Sequence, residues 1–394
     1  MKVLISGAGI AGPTLAYWLL RYGFDPTLLE RAPALRTGGY VIDFWGAGFD
    51  VAERMGLVPD LRRLGYAVDE VRIVGRDGRK ISGFPVSPLD RLTHHRYVSL
   101  PRGDLAAAIY GKIEGRVETV FGNGVSAIEE HDGGVRVSFE RGESRDFDLV
   151  IGADGLHSGV RGLVFGPQER FEKYLGYKAA AFETSGYRPR DENAYVTYTR
   201  VGRQIARFSL RGDRTMFLFI FTDADADIAG AGIQAQKAVL RARFENDGWE
   251  CREILAFLDK SPEIYFDRVS QIRMTEWSRG RAALVGDAAF CPSFLAGQGS
   301  ALAMIAAYVL AGELARAEGD YQQAFSRYHD LLSSFMAGKQ EAAIGFAGAF
   351  APKSAFRLFL RDQIAKVLSL PFAARLVFGR GLLDAISLPE YPES

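Results

Sequence analysis

Three separated stretches of this chain combine glycines with an acidic side chain, a pattern typical of sites that bind phosphorylated ligands. Glycine lets a phosphate approach the backbone, and a carboxylate accepts hydrogen bonds from sugar hydroxyls. The three groups are Gly7, Gly9 and Gly12 with Glu30; Asp154 after an apolar run; and Asp287 with Gly297 and Gly299. Residue types and spacing therefore point to the binding of a nucleotide.

The first group is a G-x-G-x-x-G motif between a short apolar run and a predicted helix. Gly7 permits a tight strand-to-helix turn, Gly9 lets a pyrophosphate approach, and Gly12 lets helix and strand pack closely. Ala11 belongs to the same predicted phosphate loop. The helix N-terminus has free N–H groups and a positive dipole, which attract phosphates. Glu30 ends a second predicted strand, where its carboxylate can accept hydrogen bonds from a ribose.

The same stretch, Val3 to Leu20, is apolar enough to resemble a signal peptide or a membrane helix. Glycines and a proline interrupt it, and no small-residue cleavage site follows. Because strand, helix and acid stand in the order that the motif requires, we interpret it as a dinucleotide loop. Glu30 followed by Arg31 fits FAD at least as well as NAD.

Composition narrows the classes of partner. Among 394 residues, 48 lysines and arginines balance 48 aspartates and glutamates, which gives no electrostatic case for nucleic acid or an anionic membrane. Cys251 and Cys291 form no metal or redox motif and fit a reduced, cytoplasmic setting. The length suits two or three domain-sized units. We expect no metal and a monomer.

Two further apolar strands are predicted to carry acids to the edge of a parallel sheet, where such sheets bind ligands. One ends at Asp154 and the other at Asp287, and the glycines at 297 and 299 then open an apolar helix. Arg102 stands at another predicted strand-helix junction. It is either a solvated surface charge or a group that holds a phosphate or a flavin edge.

The segment from Lys178 to Thr222 differs from the rest of the chain in its predicted secondary structure. Its β-rich runs, with little helix between them, indicate an antiparallel sheet that is either a substrate-pocket floor or structural packing. The runs are Ala179 to Phe182, Ala194 to Arg200, Ile205 to Leu210 and Met216 to Phe221. We take Tyr198, Arg207, Phe208 and Phe219 as candidate substrate residues. Arg207 and Phe208 have opposite parity and cannot both face one pocket without a bulge.

The C-terminal part is predicted to be helical. A long helix is predicted from Tyr321 to Ala343, followed by an apolar stripe with basic residues interspersed. Such a helix either lies on a membrane or packs on its own protein, and we favour packing. The stripe consists of Phe356, Phe359, Leu360, Ile364, Val367, Leu368 and Phe372.

Together the three motifs resemble the class A FAD-dependent monooxygenases of the aromatic-hydroxylase type, over essentially the whole chain. The run Gly286 to Ser293, the triplet Gly248-Trp249-Glu250 and the run Ala311 to Leu314 resemble in particular the tetracycline-inactivating branch. That branch grades into polyketide-tailoring hydroxylases, so the resemblance leaves the substrate open.

The resemblance implies an α/β fold in which a Rossmann-like FAD-binding domain is interleaved with a mixed or antiparallel β-sheet substrate domain, with helices at the C-terminus. The expected FAD-binding segments are 1–70, 97–170 and 276–320. The expected substrate segments are 71–96 and 171–275, and 321–394 is the helical region.

The resemblance also assigns roles to individual residues. Glu30 would bind the adenosine ribose and Arg31 would lie near the adenine. Arg102 and Asp287 would hold the ribityl-pyrophosphate region. Asp43 would lie beside the flavin, and Asp154 would close a motif that contacts FAD and, transiently, NAD(P)H.

Three residues depart from the family pattern: Phe290 replaces a common His, Phe294 a Pro that faces the flavin, and Ala301 a common Asn. A bulky ring at Phe294 could reshape the pocket over the flavin, so we include it among the substrate-pocket residues. No side chain is singled out as a catalytic acid or base.

The implied chemistry is oxygenation of a phenolic or enolic polycycle by dioxygen, with NAD(P)H as electron donor and a flavin C4a-hydroperoxide as the oxygenating species. Phe294 keeps open an NAD(P)H oxidase or reductase with uncoupled turnover. A third alternative is a flavin-carrying binding protein.

Overall fold

The computed structural model describes residues 1–36, 38–223, 232–368 and 386–391. The first strands are β1 (Lys2–Ser6), β2 (Asp25–Glu30), β3 (Val41–Trp45), β4 (Glu70–Val74), β5 (Lys80–Pro85) and β6 (Tyr97–Pro101). They are followed by β7 (Glu118–Phe121), β8 (Val125–His131), β9 (Gly134–Phe139), β10 (Arg145–Phe147), β11 (Leu149–Gly152) and β12 (Glu172–Ser185). The last are β13 (Ala194–Arg200), β14 (Arg203–Leu210), β15 (Arg214–Thr222), β16 (Tyr265–Ile272), β17 (Ser278–Arg279) and β18 (Ala282–Leu284).

The helices alternate with these strands. They are α1 (Ala11–Arg21), α2 (Ala47–Arg54), α3 (Val58–Leu64), α4 (Ser87–Leu92), α5 (Arg102–Tyr110) and α6 (Gly159–Val164). The second half contains α7 (Ile233–Phe244), α8 (Cys251–Lys260), α9 (Asp287–Phe290), α10 (Gly299–Arg316), α11 (Tyr321–Phe350) and α12 (Ala355–Leu368). Short 3-10 turns cover Gln168–Arg170 and Phe294–Ala296.

A six-stranded sheet in the order β17-β18-β11-β1-β2-β7 forms the nucleotide-binding half. The strands from β18 to β7 run parallel, and β11 is buried along its whole length, as a strand covered on both faces should be. Parallel pairing brings the carboxyl ends of β1, β2, β11 and β18 to one edge. The predicted α/β fold class is confirmed.

Helices α1 and α10 pack side by side on this sheet, and Trp18 meets Tyr308 at a ring-centroid distance of 4.8 Å. Gly286 lies between them, because a Cβ there would come within 3.1 Å of the Ala11 side chain and 3.4 Å of Ala303. The stretch Gly299–Arg316 is apolar and long enough to cross a membrane, but 78% of it is buried inside the protein. It is therefore a core helix of this fold.

A seven-stranded sheet in the order β16-β12-β15-β14-β13-β4-β5 forms the other half. The predicted β-rich runs lie in β12, β13, β14 and β15. In the sheet, β13 pairs with β14, β14 with β15 and β15 with β12, and each pair is antiparallel. A hairpin with Asp77 and Gly78 at its turn joins β4 and β5, with Gly78 at φ +78°. Segment 71–96 thus shares a sheet with 171–275, although the domain boundaries stay a prediction.

The C-terminal helices differ from expectation in one respect. Helix α12 approaches β5, where Ser82 Oγ donates to the Asp362 carbonyl at 2.9 Å. The stripe residues Phe356, Phe359, Leu360, Ile364 and Val367 are exposed, whereas Leu368 is buried. Five of the six described stripe residues therefore point away from the packing face, and the buried residues of α12 are Ala365 and Leu368. Phe372 lies outside the described residues.

Candidate cofactor and substrate site

The three glycines of the first motif have different surroundings. Gly7 has φ +112°, and a Cβ on it would lie 2.5 Å from the Ala153 carbonyl oxygen. A Cβ on Gly12 would overlap the Gly7 carbonyl. At Gly9 the nearest atom to such a Cβ is Arg102 Nη2, at 3.4 Å. Gly7 and Gly12 therefore serve close packing, and only Gly9 borders open space.

Glu30 is connected to this loop by hydrogen bonds. Its Oε2 accepts from Ala8 N and its Oε1 from Ala32 N, each at 2.8 Å. The carboxylate therefore fixes the loop and retains lone pairs for a ribose hydroxyl. Ala11 is buried in the first turn of α1. Arg31 lies at the surface, where it pairs with Glu140 at 2.7 Å.

Asp154 has an internal role at the end of β11. It accepts a short hydrogen bond from Ser158 Oγ and one of 3.1 Å from Val160 N, so it organises the start of α6. Burial raises its pKa, and these hydrogen bonds oppose the shift. The fully buried Arg161 donates to the Leu156 carbonyl at 2.6 Å and to the Ala288 carbonyl at 3.0 Å. It thereby connects the second acidic motif to the third.

The third motif meets the first at Arg102. A Cβ on Gly299 would lie 3.6 Å from Asp287 Oδ1. Burial raises the pKa of Asp287, and the positive charge of Arg102 opposes that shift. Gly297 has φ +67°, a left-handed turn that glycine favours. Gly9, Arg102, Asp287 and Gly299 therefore converge, although they are far apart in sequence.

This convergence fits the diphosphate of FAD. Neither α1 nor α10 has a side-chain cap at its N-terminus, so both ends offer N–H groups to an anion. Gly9 provides the close backbone approach, and Arg102 supplies the positive charge. Glu30 lies at the end of β2 and hydrogen-bonds the loop through Ala8 N.

A cluster of partly exposed aromatic side chains, Tyr40, Tyr265 and Phe294, connects this edge to the second sheet, and we call the surface that it borders the aromatic cleft. Tyr40 meets Phe294 at a centroid distance of 4.4 Å and Tyr265 at 5.6 Å. Tyr40 keeps partial solvent exposure, yet burial raises its pKa to about 12. Tyr40 is thus largely buried but keeps some accessible surface, as expected of a residue that lines a cleft. Phe294 therefore belongs to the wall of this cleft.

The two faces of the seven-stranded sheet have different neighbours. Phe208 packs with Tyr195 at a centroid distance of 4.6 Å on the face toward the cleft. Tyr198 and Phe219 lie on the opposite face, in the core shared with α7 and α8. Arg207 also points there, where it forms ion pairs with Asp191 and Glu250. Of the four predicted sheet residues only Phe208 lies on the face toward Tyr40, because side chains alternate along each strand, and its ring is fully buried there.

The structure also groups the predicted residue Asp43 with three residues that the sequence did not single out. Asp43 accepts hydrogen bonds from Ser99 Oγ at 2.6 Å and from the hydroxyls of Tyr97 at 2.7 Å and Tyr195 at 3.3 Å. Burial raises the pKa of Asp43, and the three donors oppose that shift. The Tyr97-x-Ser99 alternation was a visible signal, but its pairing with Asp43 depends on strand register.

The fold and the geometry of the site are those of a protein that binds a dinucleotide such as FAD. Comparisons with known proteins identify the family. A family model described as FAD binding domain matches residues 1–330. A flavin-dependent monooxygenase from an unknown prokaryotic organism is 34% identical over 392 residues, covering 99% of each chain. The flavin-dependent monooxygenase of Legionella longbeachae serogroup 1 (strain NSW150) is 31% identical, covering 100% of this chain and 99% of that protein.

Among solved structures, the tetracycline destructase Tet(51) aligns with a TM-score of 0.82 and 33% identity, covering 99% of each chain. This chain therefore belongs to the family of FAD-dependent monooxygenases. Membership of a family of monooxygenases argues against the alternative interpretation that the chain is a flavin-carrying binding protein.

Proposed function

We propose that this enzyme oxygenates a phenolic or enolic polycyclic molecule with dioxygen and NAD(P)H. The observation that carries the proposal is the aromatic cleft between the phosphate-binding edge and one face of the seven-stranded sheet. Tyr40 and Phe294 form one wall, and the partly exposed Tyr195, which packs on the buried Phe208, contributes to the floor. Apolar walls with a few placed polar groups are typical of small-molecule sites.

The floor favours a flat ligand. Between the larger rings, the cleft face carries Ala206 opposite Leu218 on the neighbouring strand, and both keep partial exposure. These two partly exposed aliphatic side chains add apolar surface on which a planar ring system could pack. The similarity to the tetracycline destructase Tet(51) supports a polycycle as the occupant.

Bound FAD would supply the redox chemistry and the activation of dioxygen, while the protein binds, orients and excludes water. Gly9 and Arg102 would hold the diphosphate, with Asp287 at the adjoining ribityl chain. Glu30 would hold the adenosine ribose. Tyr40 and Phe294 would shield the reacting part of the cofactor from bulk water.

NAD(P)H would bind only transiently, because the sequence contains no second glycine fingerprint after residue 12. We further propose a cytoplasmic location, which supplies reduced nicotinamide cofactor. Cys251 and Cys291 are both buried and unpaired, as is common in reducing compartments.

The proposal is tested with FAD-loaded protein and a panel of phenols and enols that contains tetracyclines, other polycyclic compounds and monocyclic phenols. NADH and NADPH oxidation, peroxide release and product mass are measured together. At least one compound should accelerate NAD(P)H oxidation and gain the mass of one oxygen atom. A Gly9→Val variant, whose side chain would occupy the phosphate approach, serves as the matched control without FAD.

Peroxide formation that equals NAD(P)H consumption with every compound would contradict the proposal. That result would instead identify an uncoupled oxidase, the alternative raised by Phe294. Oxygenation of monocyclic phenols alone would support the proposed reaction but contradict the proposed polycyclic substrate.

A further inference from the structure

Helix α12 presents an apolar face to solvent. In the described part of the chain, half of the exposed large hydrophobic side chains lie on this one helix. Soluble proteins rarely group exposed apolar side chains in one patch unless the patch binds something. We call this group the exposed stripe. It consists of Phe356, Phe359, Leu360, Ile364 and Val367.

The opposite side of α12 attaches the helix to the seven-stranded sheet. Ser82 Oγ on β5 donates to the Asp362 carbonyl at 2.9 Å. Arg361 Nη1 donates to Thr199 Oγ1 on β13 at 3.3 Å. The helix is therefore held by its polar side, and the exposed stripe points outward without taking part in that attachment.

Basic residues border the exposed stripe on both sides. Successive residues of an α-helix are about 100° apart, so the stripe covers an arc of about 140°. Arg357 projects just beyond one edge of this arc and Lys366 just beyond the other, and both are exposed. Lys353, which precedes the helix, is exposed as well. Asp362 is half-buried and pairs with Arg361 at 2.8 Å. Within residues 353–368 the exposed charges are therefore all positive.

We propose that the exposed stripe binds the anionic surface of a lipid membrane, with α12 lying in the plane of the interface. The apolar side chains enter the boundary between headgroups and acyl chains, while Arg357 and Lys366 reach the lipid phosphates. An apolar face with basic residues at its edges is typical of helices that lie on a membrane without crossing it. The zero net charge of the whole chain does not oppose this binding, because distant charges are screened by salt.

The charges favour a lipid surface over a second copy of this chain. In an isologous contact the same residues meet across a two-fold axis, so Arg357 and Lys366 would meet the same basic residues of the other copy. Like charges that meet in this way disfavour association. Residues 369–385, which follow the helix, contain two arginines and one aspartate. Their net charge is therefore also positive and does not complement the stripe.

The test measures sedimentation of the FAD-loaded protein with lipid vesicles. The protein should sediment with vesicles of phosphatidylcholine and phosphatidylglycerol but not with phosphatidylcholine alone, and added salt should release it. The double variant Phe356→Ser/Phe359→Ser should lose this binding. Leu163→Ser, which changes another exposed apolar side chain on α6, is the matched control and should bind like the wild type.

A second pair of variants tests the charges and leaves the stripe intact. Arg357→Gln should weaken binding to the anionic vesicles roughly fivefold, the contribution of one basic residue near such a surface. Arg136→Gln, whose side chain is 58% exposed on β9, is its control and should bind like the wild type. Equal binding to both kinds of vesicle, or unchanged binding of Arg357→Gln, would overturn the anionic surface as the partner.

No sedimentation with the anionic vesicles at low salt would overturn the inference, as would binding that persists in the double variant. Thermal unfolding without vesicles tests for a cover within the protein. The double variant should unfold at the temperature of the wild type, and a lower temperature would mean that the stripe is buried by the chain itself. A wild-type dimer in sedimentation velocity that the double variant abolishes would assign the stripe to a second copy instead. None of these measurements involves turnover, so their results do not depend on the proposed function.

Discussion

The hydroxyl of Tyr391 donates a 2.6 Å hydrogen bond to the carboxylate of Glu313, which is completely buried in α10. The ring of Tyr391 also covers Gly312 so closely that a Cβ there would overlap it. Nearby, the Pro389 carbonyl accepts from Tyr308 Oη at 2.8 Å. Residues 389–391 thus hold the second half of α10, the helix whose N-terminus faces the cofactor site.

Replacing Tyr391 by Phe should therefore destabilise the protein. The change removes a donor from a buried carboxylate, which costs about 1–3 kcal/mol. Thermal and denaturant unfolding of the FAD-loaded protein measures it. The control Tyr321→Phe, whose ring packs on Phe325, should change stability by less than about 0.5 kcal/mol. Equal stability of both variants would mean that the Tyr391 contact contributes nothing.

The glycines of the phosphate loop should separate folding from cofactor binding. Gly9→Ala adds a Cβ whose nearest protein atom is 3.4 Å away, so the chain should fold but bind FAD more weakly. Gly12→Ala places a Cβ onto the Gly7 carbonyl and should unfold the loop itself. Released flavin and circular dichroism distinguish the two. Full FAD occupancy in a folded Gly9→Ala variant would contradict the assignment of Gly9 to the phosphate-binding site.

Much of the nucleotide-binding half follows from local sequence. The glycine spacing, the apolar strand β11 and the acid at its end are all short-range signals that predict a parallel sheet. The convergence of Gly9, Arg102 and Asp287 at one edge follows once that sheet is accepted, because its strand ends meet there. What local sequence could not show is that Asp154 bonds within its own loop, since this depends on the turn that brings Ser158 back.

The cleft was harder to predict because it depends on which sheet face is turned inward. Alternation correctly set Arg207 and Phe208 on opposite faces, but it could not say which face met the cofactor. Arg207 forms ion pairs with Asp191, which lies in a loop, and with Glu250, which lies directly before α8. Such long-range partners leave no periodic signal in the strand, and the same is true of Tyr195 opposite Asp43.

Shortening Phe294 should weaken both packing and coupling. Its ring pairs with Tyr40 and with Tyr265, and each aromatic pair is worth about 0.5–1.5 kcal/mol. Phe294→Ala should thus lower stability by about 1–3 kcal/mol and open the cleft wall to water. The peroxide released per NAD(P)H oxidised should rise. Phe294→Tyr keeps the ring and should stay near the wild type; a fall in peroxide in Phe294→Ala would show that the ring itself causes uncoupling.

The last prediction concerns a pH-dependent contact between the two halves. His157, in the loop after β11, lies with Nε2 at 2.9 Å from Asp267 Oδ2 on β16. This carboxylate raises the pKa of His157 above 6.5, so the folded state binds the proton more tightly than the unfolded chain. The resulting stability is complete below pH 6.5 and is lost as pH rises through the raised pKa.

The unfolding temperature of His157→Gln should therefore fall furthest below that of the wild type at pH 6 or lower, and the gap should narrow steadily in alkaline buffer. Asp267→Asn should narrow the pH dependence in the same way, and the double variant should add little, because both changes remove one interaction. The effect should be modest, since the His157 side chain is 57% exposed and solvent screens the pair. A gap that stays constant, or that widens with rising pH, would show that the charged form of His157 does not support the contact between β16 and the loop after β11.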